Sequence, residues 1–281
     1  MGRRFWKMSG SGNDFVVFDA RGSQPDPWER PDAIQALCAR GTGVGADGVV
    51  FVADARRPGA SLAMRYYNSD GSRGAFCGNA TLCITRLATE LGLAAPEGLA
   101  LETDGGVVPS RIGSAGPEID LPAVTESSAT VALPLEPGES RIGFSLVGVP
   151  HLVVRCDDVA AIDVEARGRA LRNAKFRADG ANVNFVSHVG DHWAMRTYER
   201  GVEGETLACG SGAIATAILL EAWKESGVDT SLITRSGRLL RVRLRPDGRS
   251  WWPTLGGEGR VVFTGELADR AELPDLVAPG A

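Results

Sequence analysis

A chain of 281 residues is long enough for one large domain or two of about 140. With 43% hydrophobic and 23% charged residues, and no apolar run near the ~20 residues of a membrane span, its composition is that of a globular protein outside the membrane. A net charge of −5 argues against a nucleic-acid surface, which needs clustered Lys and Arg, and leaves a small molecule as the expected partner.

The first residues include two arginines but no apolar core and no small-residue cleavage site, so a cytoplasmic location is expected. The stretches "DFVVFDA" (14–20), "GVVFVADA" (48–55) and "LAMRYYN" (62–68) read as strands, with a helix around 32–39. The intervening loop "RGTGVGADGVV" is spaced G-x-G-x-G. It lacks a Lys-Ser/Thr ending and no helical pattern follows, so P-loop and Rossmann readings fail. From Gly78 the pattern turns helical, with Leu82, Arg86, Leu87, Glu90 and Leu91 on a 3.6-residue period ended by Gly92.

The segment 121–141, rich in Pro, Ser, Thr and Glu, reads as a domain junction. The expected halves are 1–122 and 123–263, with 264–281 packing back on the first. Beyond the junction, "FSLVGVPHLVVRC" (144–156), "ANVNFVSHV" (181–189) and "HWAMRTYER" (192–200) read as strands, and "ETLACGSGAIATAILLEAWKESGV" (205–228) carries a second helix. Cys77-Gly78-Asn79-Ala80 and Cys209-Gly210-Ser211-Gly212 open small-residue helices of about four turns that close at Gly92 and Gly227. The two cysteines are 132 positions apart (209 − 77), and "LAMRYYNSDG" precedes the first helix as "HWAMRTYERG" precedes the second. An internal duplication is the simplest explanation.

The first turn of a helix has unpaired N–H groups and a partial positive charge, which lower a thiol's pKa and bind a carboxylate. The glycine after each cysteine lets a ligand approach the backbone. Five scattered cysteines (Cys38, Cys77, Cys83, Cys156, Cys209) read as reduced thiols. Buried structural cysteines would account for either helix start alone, though less readily for the matched pair. A metal site fits poorly, because Cys77 and Cys83 are six apart and His151, His188 and His192 form no helical pair. A Cys-His hydrolase leaves the second thiol unexplained, and a redox disulfide between the halves stays open. Lysines are only Lys7, Lys175 and Lys224, which gives a Schiff-base enzyme few candidates. Two facing thiols best explain a symmetric reaction, with one proton leaving Cα on one face and another arriving on the other.

The motifs "KMSGSGNDF" (7–15), "NSDGSRGAFCGN" (68–79), "PHLVV" (150–154), "NVNF" (182–185) and "ERGVEGETLACGSGA" (199–213), in this order across nearly the whole chain, resemble the diaminopimelate epimerase family. The resemblance implies an isomerase that interconverts LL- and meso-2,6-diaminopimelate for lysine and peptidoglycan synthesis, without pyridoxal phosphate, other cofactor or metal. It implies an α+β fold of two similar domains, each a mostly antiparallel sheet wrapped around a central helix, with the active site in the interdomain cleft. A homodimer is the expected assembly. Cys77 and Cys209 then resemble the acid/base pair, and Gly78, Asn79, Gly210 and Ser211 the groups that hold the reacting carboxylate. Glu199 resembles the contact to the ammonium, His151 an aid to a thiol, and Asn13, Asn68, Asn182 and Arg200 the grip on the distal end. The chain departs from the family at Val149, where asparagine is usual, and at Gly48, where many members carry glutamine. It departs also at Ala80 and Leu82, and at Glu203, which looks inserted. A racemase of another polar amino acid, such as histidine, is therefore the alternative substrate reading.

Overall fold

The computed structural model describes residues 2–22, 28–174, 176–178 and 180–268, so Lys175 and most of the segment 264–281 lie outside it. It comprises two compact units. One takes the described residues up to Pro117 and from Gly259 onward; the other is Glu118–Glu258. The Pro- and Ser-rich stretch 121–141 lies inside the second unit.

In the first unit, β1 (Arg3–Gly10) and β2 (Asn13–Asp19) pair antiparallel across a Ser11-Gly12 turn with φ of 54° and 113°. Both values are left-handed, which suits the twist of a two-residue hairpin. After α1 (Pro31–Cys38) comes β3 (Gly48–Ala53), parallel to β2, then β4 (Leu62–Asn68) antiparallel to β3, and the short β5 (Arg73–Gly74) paired with β4. Next come α2 (Gly78–Glu90), β6 (Leu99–Thr103) parallel to β4, and β7 (Gly106–Gly113) antiparallel to β6. All six residues of β3 are buried, because both of its faces are covered. Val50 and Val52 pack with Ile84 and Leu87 of α2, while Val49 and Phe51 pack with Ile34 and Leu37 of α1.

Strand β8 (Gly116–Asp120) carries the chain into the second unit, where the order repeats. After β9 (Ser127–Ser128), β10 (Glu139–Val147) and β11 (Val149–Cys156) are antiparallel. Then follow α3 (Val164–Arg172), β12 (Asn182–Val189) parallel to β11, β13 (His192–Glu199) antiparallel to β12, and β14 (Gly204–Thr206) paired with β13. The unit ends with α4 (Gly210–Ala222), β15 (Asp229–Ile233) parallel to β13, β16 (Leu239–Asp247) and β17 (Ser250–Gly256). Helix α4 is buried on every side from Gly212 to Leu220, as an apolar helix at the centre of a wrapped sheet must be. Finally β18 (Arg260–Leu267) returns to pair antiparallel with β1.

The second helix ends differently from the sequence expectation. It stops at Ala222 with Trp223 as its cap, and the left-handed residue beyond is Lys224 (φ 61°), not Gly227. Gly92 does take the left-handed position after α2 (φ 68°). The stretch 144–156, which reads as one strand, is instead a hairpin folded at Gly148 (φ 69°), with Val147 opposite Val149. Strand β1 and helix α3 were not signalled by periodicity.

Candidate active site

Each candidate cysteine is the N-cap of a 13-residue helix. Cys77 has φ −142° and ψ 114°, and Cys209 has −133° and 110°. Their carbonyls accept the first helical hydrogen bonds, from Thr81 N and Ala213 N, both at 2.9 Å. Neither helix has an acidic side chain in its first turn, so its own sequence does not offset the positive end of the dipole. The Cys209 Sγ accepts from Gly212 N at 3.4 Å and lies 3.6 Å from Ser211 Oγ. A carboxylate and a thiolate both suit such a place. The Cys77 residue is half-buried and Cys209 buried. By contrast Cys38 and Cys156 are packed inside the units, and burial pushes both thiols up to about 12. Cys83 is fully buried within α2.

The remaining candidates cluster at one end of each sheet. In the first unit Asn13 opens β2, Gly48 opens β3 and Asn68 closes β4, with Gly48 directly opposite Asn68. In the second, Val149 opens β11, Asn182 opens β12 opposite His151, and Glu199 closes β13. Asn13 thus matches Val149, Phe15 matches His151, Gly48 matches Asn182, and Asn68 matches Glu199 between the repeats. Side chains tie these strand ends to the helix starts. Asn79 Nδ2 donates to Asn13 Oδ1 at 2.6 Å. Asn184 is wholly buried, and a Cβ on Gly212 of α4 would run into its Oδ1. Asn182 Oδ1 accepts from Arg200 N at 2.8 Å, and Thr206 Oγ1 donates to Glu199 Oε1 at 2.5 Å.

His151 is wholly buried, and desolvation, aided by the charge of Arg200, lowers its pKa to about 3. Its Nδ1 lies 3.2 Å from Asn184 Nδ2, which can only donate, so Nδ1 accepts and Nε2 carries the proton. Asn184 is itself oriented by a bond to Leu152 O (3.0 Å) and by Thr197 Oγ1, which donates to its Oδ1 (3.0 Å). Glu203 takes a left-handed backbone (φ 56°), and its carboxylate accepts from Gly201 N, which closes the loop before β14.

Three residues at these strand ends escaped the sequence reading: Asn184, Asp47 and Tyr66. A Cβ at Gly48 would sit 2.7 Å from Tyr66 Cε2, and one at Gly74 would sit 2.6 Å from Tyr66 Cδ1, so the ring fills a slot lined by two glycines. Its hydroxyl donates to Asn68 Oδ1 at 2.9 Å. Of the lysines, Lys7 is buried against Asp14 (2.6 Å) and the Gly45 carbonyl, while exposed Lys224 pairs with Glu221. Among the described residues no cluster of His, Cys, Asp and Glu could hold a metal ion, and no helix is long and apolar enough to cross a membrane.

The sequence profile described as diaminopimelate epimerase matches residues 5–126 and 144–250. The chain belongs to the diaminopimelate epimerase family. It is 47% identical over 277 residues to the diaminopimelate epimerase of Gemmatimonas aurantiaca, with 94% of this chain and 99% of that protein covered. It is 38% identical to that of Aquifex aeolicus, with 94% and 98% covered. Among solved structures, a probable proline racemase from Agrobacterium radiobacter superposes with a TM-score of 0.69 at 18% identity, covering 97% of this chain and 94% of its own. A hydroxyproline epimerase from Agrobacterium vitis gives 0.64 at 20%, covering 94% and 92%. These distant structures share the fold. As a member of an epimerase family, the chain is an isomerase of the mixed, sheet-dominated architecture described above.

Proposed function

We propose that this protein interconverts LL- and meso-2,6-diaminopimelate by passing protons through Cys77 and Cys209, without a cofactor. The observation that carries the reading is the pair of cysteine-capped helices, alike in length, in the backbone dihedrals of the capping cysteine and in the absence of first-turn acids. In this mechanism one cysteine, as thiolate, takes the Cα proton. The C–H bond breaks, and its electron pair spreads into the carboxylate held by the N–H groups of Gly78, Asn79, Gly210 and Ser211. Those dipoles are fixed before the charge develops, the condition under which they stabilise a transition state most. The other cysteine, as thiol, delivers its proton to the opposite face. The product leaves with inverted configuration and the two sulfurs have exchanged protonation states. Glu199 meets the substrate ammonium, His151 supports a thiol, and Asn13, Asn68, Asn182 and Arg200 hold the distal amino-carboxylate. A cytoplasmic setting and a homodimer belong to the same reading, and sedimentation analysis tests the second.

The test is turnover in D2O with no added pyridoxal phosphate or metal. Solvent deuterium should enter the substrate α-position, and Cys77→Ser or Cys209→Ser should each lower turnover by several orders of magnitude, because a hydroxyl is far less acidic. Each variant should still eliminate a β-leaving group from a halogenated analogue, which needs one base. Near-normal epimerisation by both variants would refute the two-thiol mechanism. One observation favours a second substrate: Val149 presents no amide at the head of β11. A panel of L-amino acids beside diaminopimelate decides this, and diaminopimelate turnover raised by Val149→Asn would locate the loss.

A further inference from the structure

We infer that Asp47, in the glycine-rich loop before β3, is a positioning residue that fixes the polarity of an amide relay ending at Asn79 Oδ1, a buried acceptor for a substrate ammonium. The inference rests on the epimerase reading above. Asp47 is an acceptor throughout: its Oδ2 takes Asn13 Nδ2 (3.0 Å) and Asp14 N (3.2 Å), and its Oδ1 takes Arg40 Nη2 (2.8 Å). Asn13 must therefore turn its NH2 toward Asp47 and its oxygen away. That oxygen accepts from Asn79 Nδ2 at 2.6 Å, which in turn forces Asn79 to face its own oxygen elsewhere. Reversing either amide would set oxygen against oxygen or NH2 against NH2. The relay ends at Asn79 Oδ1, a buried atom in the first turn of α2 with no hydrogen-bond partner among the described residues. A buried polar atom without a partner calls for an explanation, and an N–H donor brought by a ligand supplies one.

The chemistry of the helix start makes that donor specific. Backbone N–H groups there suit the substrate carboxylate, but they repel an ammonium on the same carbon. An acceptor two residues after Cys77 offsets that repulsion, so one turn of helix receives both charges of an amino acid. The loop that fails as a nucleotide site thereby gains a role. Arg40, Lys7 and Asp14 hold it against β1 and β2, with Arg40 reaching both Asp14 (2.6 Å) and Asp47.

The experiment compares the wild-type protein with Asp47→Asn and Asn79→Leu. It measures KM for LL-diaminopimelate, the inhibition constant of pimelate, which has both carboxylates and no amine, and the thermal midpoint. Asp47→Asn frees the relay to reverse, so KM for diaminopimelate should rise about tenfold or more while pimelate binds as before. Asn79→Leu should show the same selective loss; it deletes the unpartnered acceptor and also the Nδ2 donor to Asn13 Oδ1, so the thermal midpoint should fall by no more than the few degrees that one lost hydrogen bond costs, and it serves alone if Asp47→Asn does not fold. If the two ligands weaken together, or neither weakens, the relay has no bearing on the amine and the proposal is overturned. If the wild-type protein neither binds nor turns over diaminopimelate, the epimerase reading falls and takes this one with it. Wild-type turnover with unselective variants sinks the relay alone.

Discussion

His151 is a base that the fold keeps neutral. Between the ordinary histidine value near 6.5 and the folded value of about 3, the unfolded chain binds a proton that the folded chain refuses. Stability is therefore full above pH ~6.5, and the folding constant falls by up to about tenfold per pH unit below it. Asp14 acts in a lower window. Burial raises its pKa, but hydrogen bonds and charges from Arg40 and Lys7 outweigh this and hold it below 3.8, so its contribution is lost only as pH falls through that lower value. His151→Phe, which installs the residue found at the matching position of the first unit, should fold at pH 7. It should also lose less stability between pH 6.5 and 4 than the wild type, as denaturant melts at the two pH values will show. Tyr66→Phe removes one uncharged hydrogen bond to Asn68, which should lower stability by about 0.5–1.5 kcal/mol and, by freeing the Asn68 amide, raise KM for diaminopimelate by roughly two- to tenfold. That Cys77 and Cys209 stand at helix starts was legible because their motifs are local in sequence. Tyr66 was not, since its partners Gly48 and Gly74 reach it only through the pairing of β3, β4 and β5.

At the scale of elements, the strands that sandwich between helices were legible from their unbroken apolar runs. Both central helices were legible from their small-residue openings. The end of α4 was not, because the sequence offers a glycine at 227 while the chain turns three residues earlier. Lys224 accepts the left-handed conformation that glycine would adopt more cheaply. Its ion pair with Glu221 is exposed and worth little. Lys224→Gly should accordingly stabilise the protein by about 0.5–1 kcal/mol, seen as a higher urea midpoint at unchanged slope. Helix α3 was missed because its apolar face is carried by few residues: of its nine, only Val164, Arg167, Gly168 and Leu171 are buried. Gly168 is there because the Tyr198 ring lies against it, a Cβ being only 2.5 Å from Tyr198 Cβ. The hairpin at Gly148 was hidden because Val147 and Val149 continue the apolar run through the turn.

At the scale of the molecule, the duplication read from two short motifs extends to the order and sense of nine elements in each unit, from β1 to β7 and from β10 to β16. Each unit encloses its own core, around Ile84 and Ile34 in the first and around Phe185 and Leu171 in the second. Their connectivity differs, however. The second unit is one uninterrupted stretch whose two ends are laced together, Glu118 opposite Gly256 on β8 and β17. The first is built from both ends of the described chain, with β18 laid along β1. A fragment spanning 118–258 should therefore fold cooperatively by itself, with dispersed amide resonances. The fragment 1–117 should not, because it leaves β1 as an open edge prone to self-association. On the ribosome the consequence is an order of events. The half made first has to wait, its edge exposed, while the half made second closes, and it is completed only when the last described strand emerges from the exit tunnel.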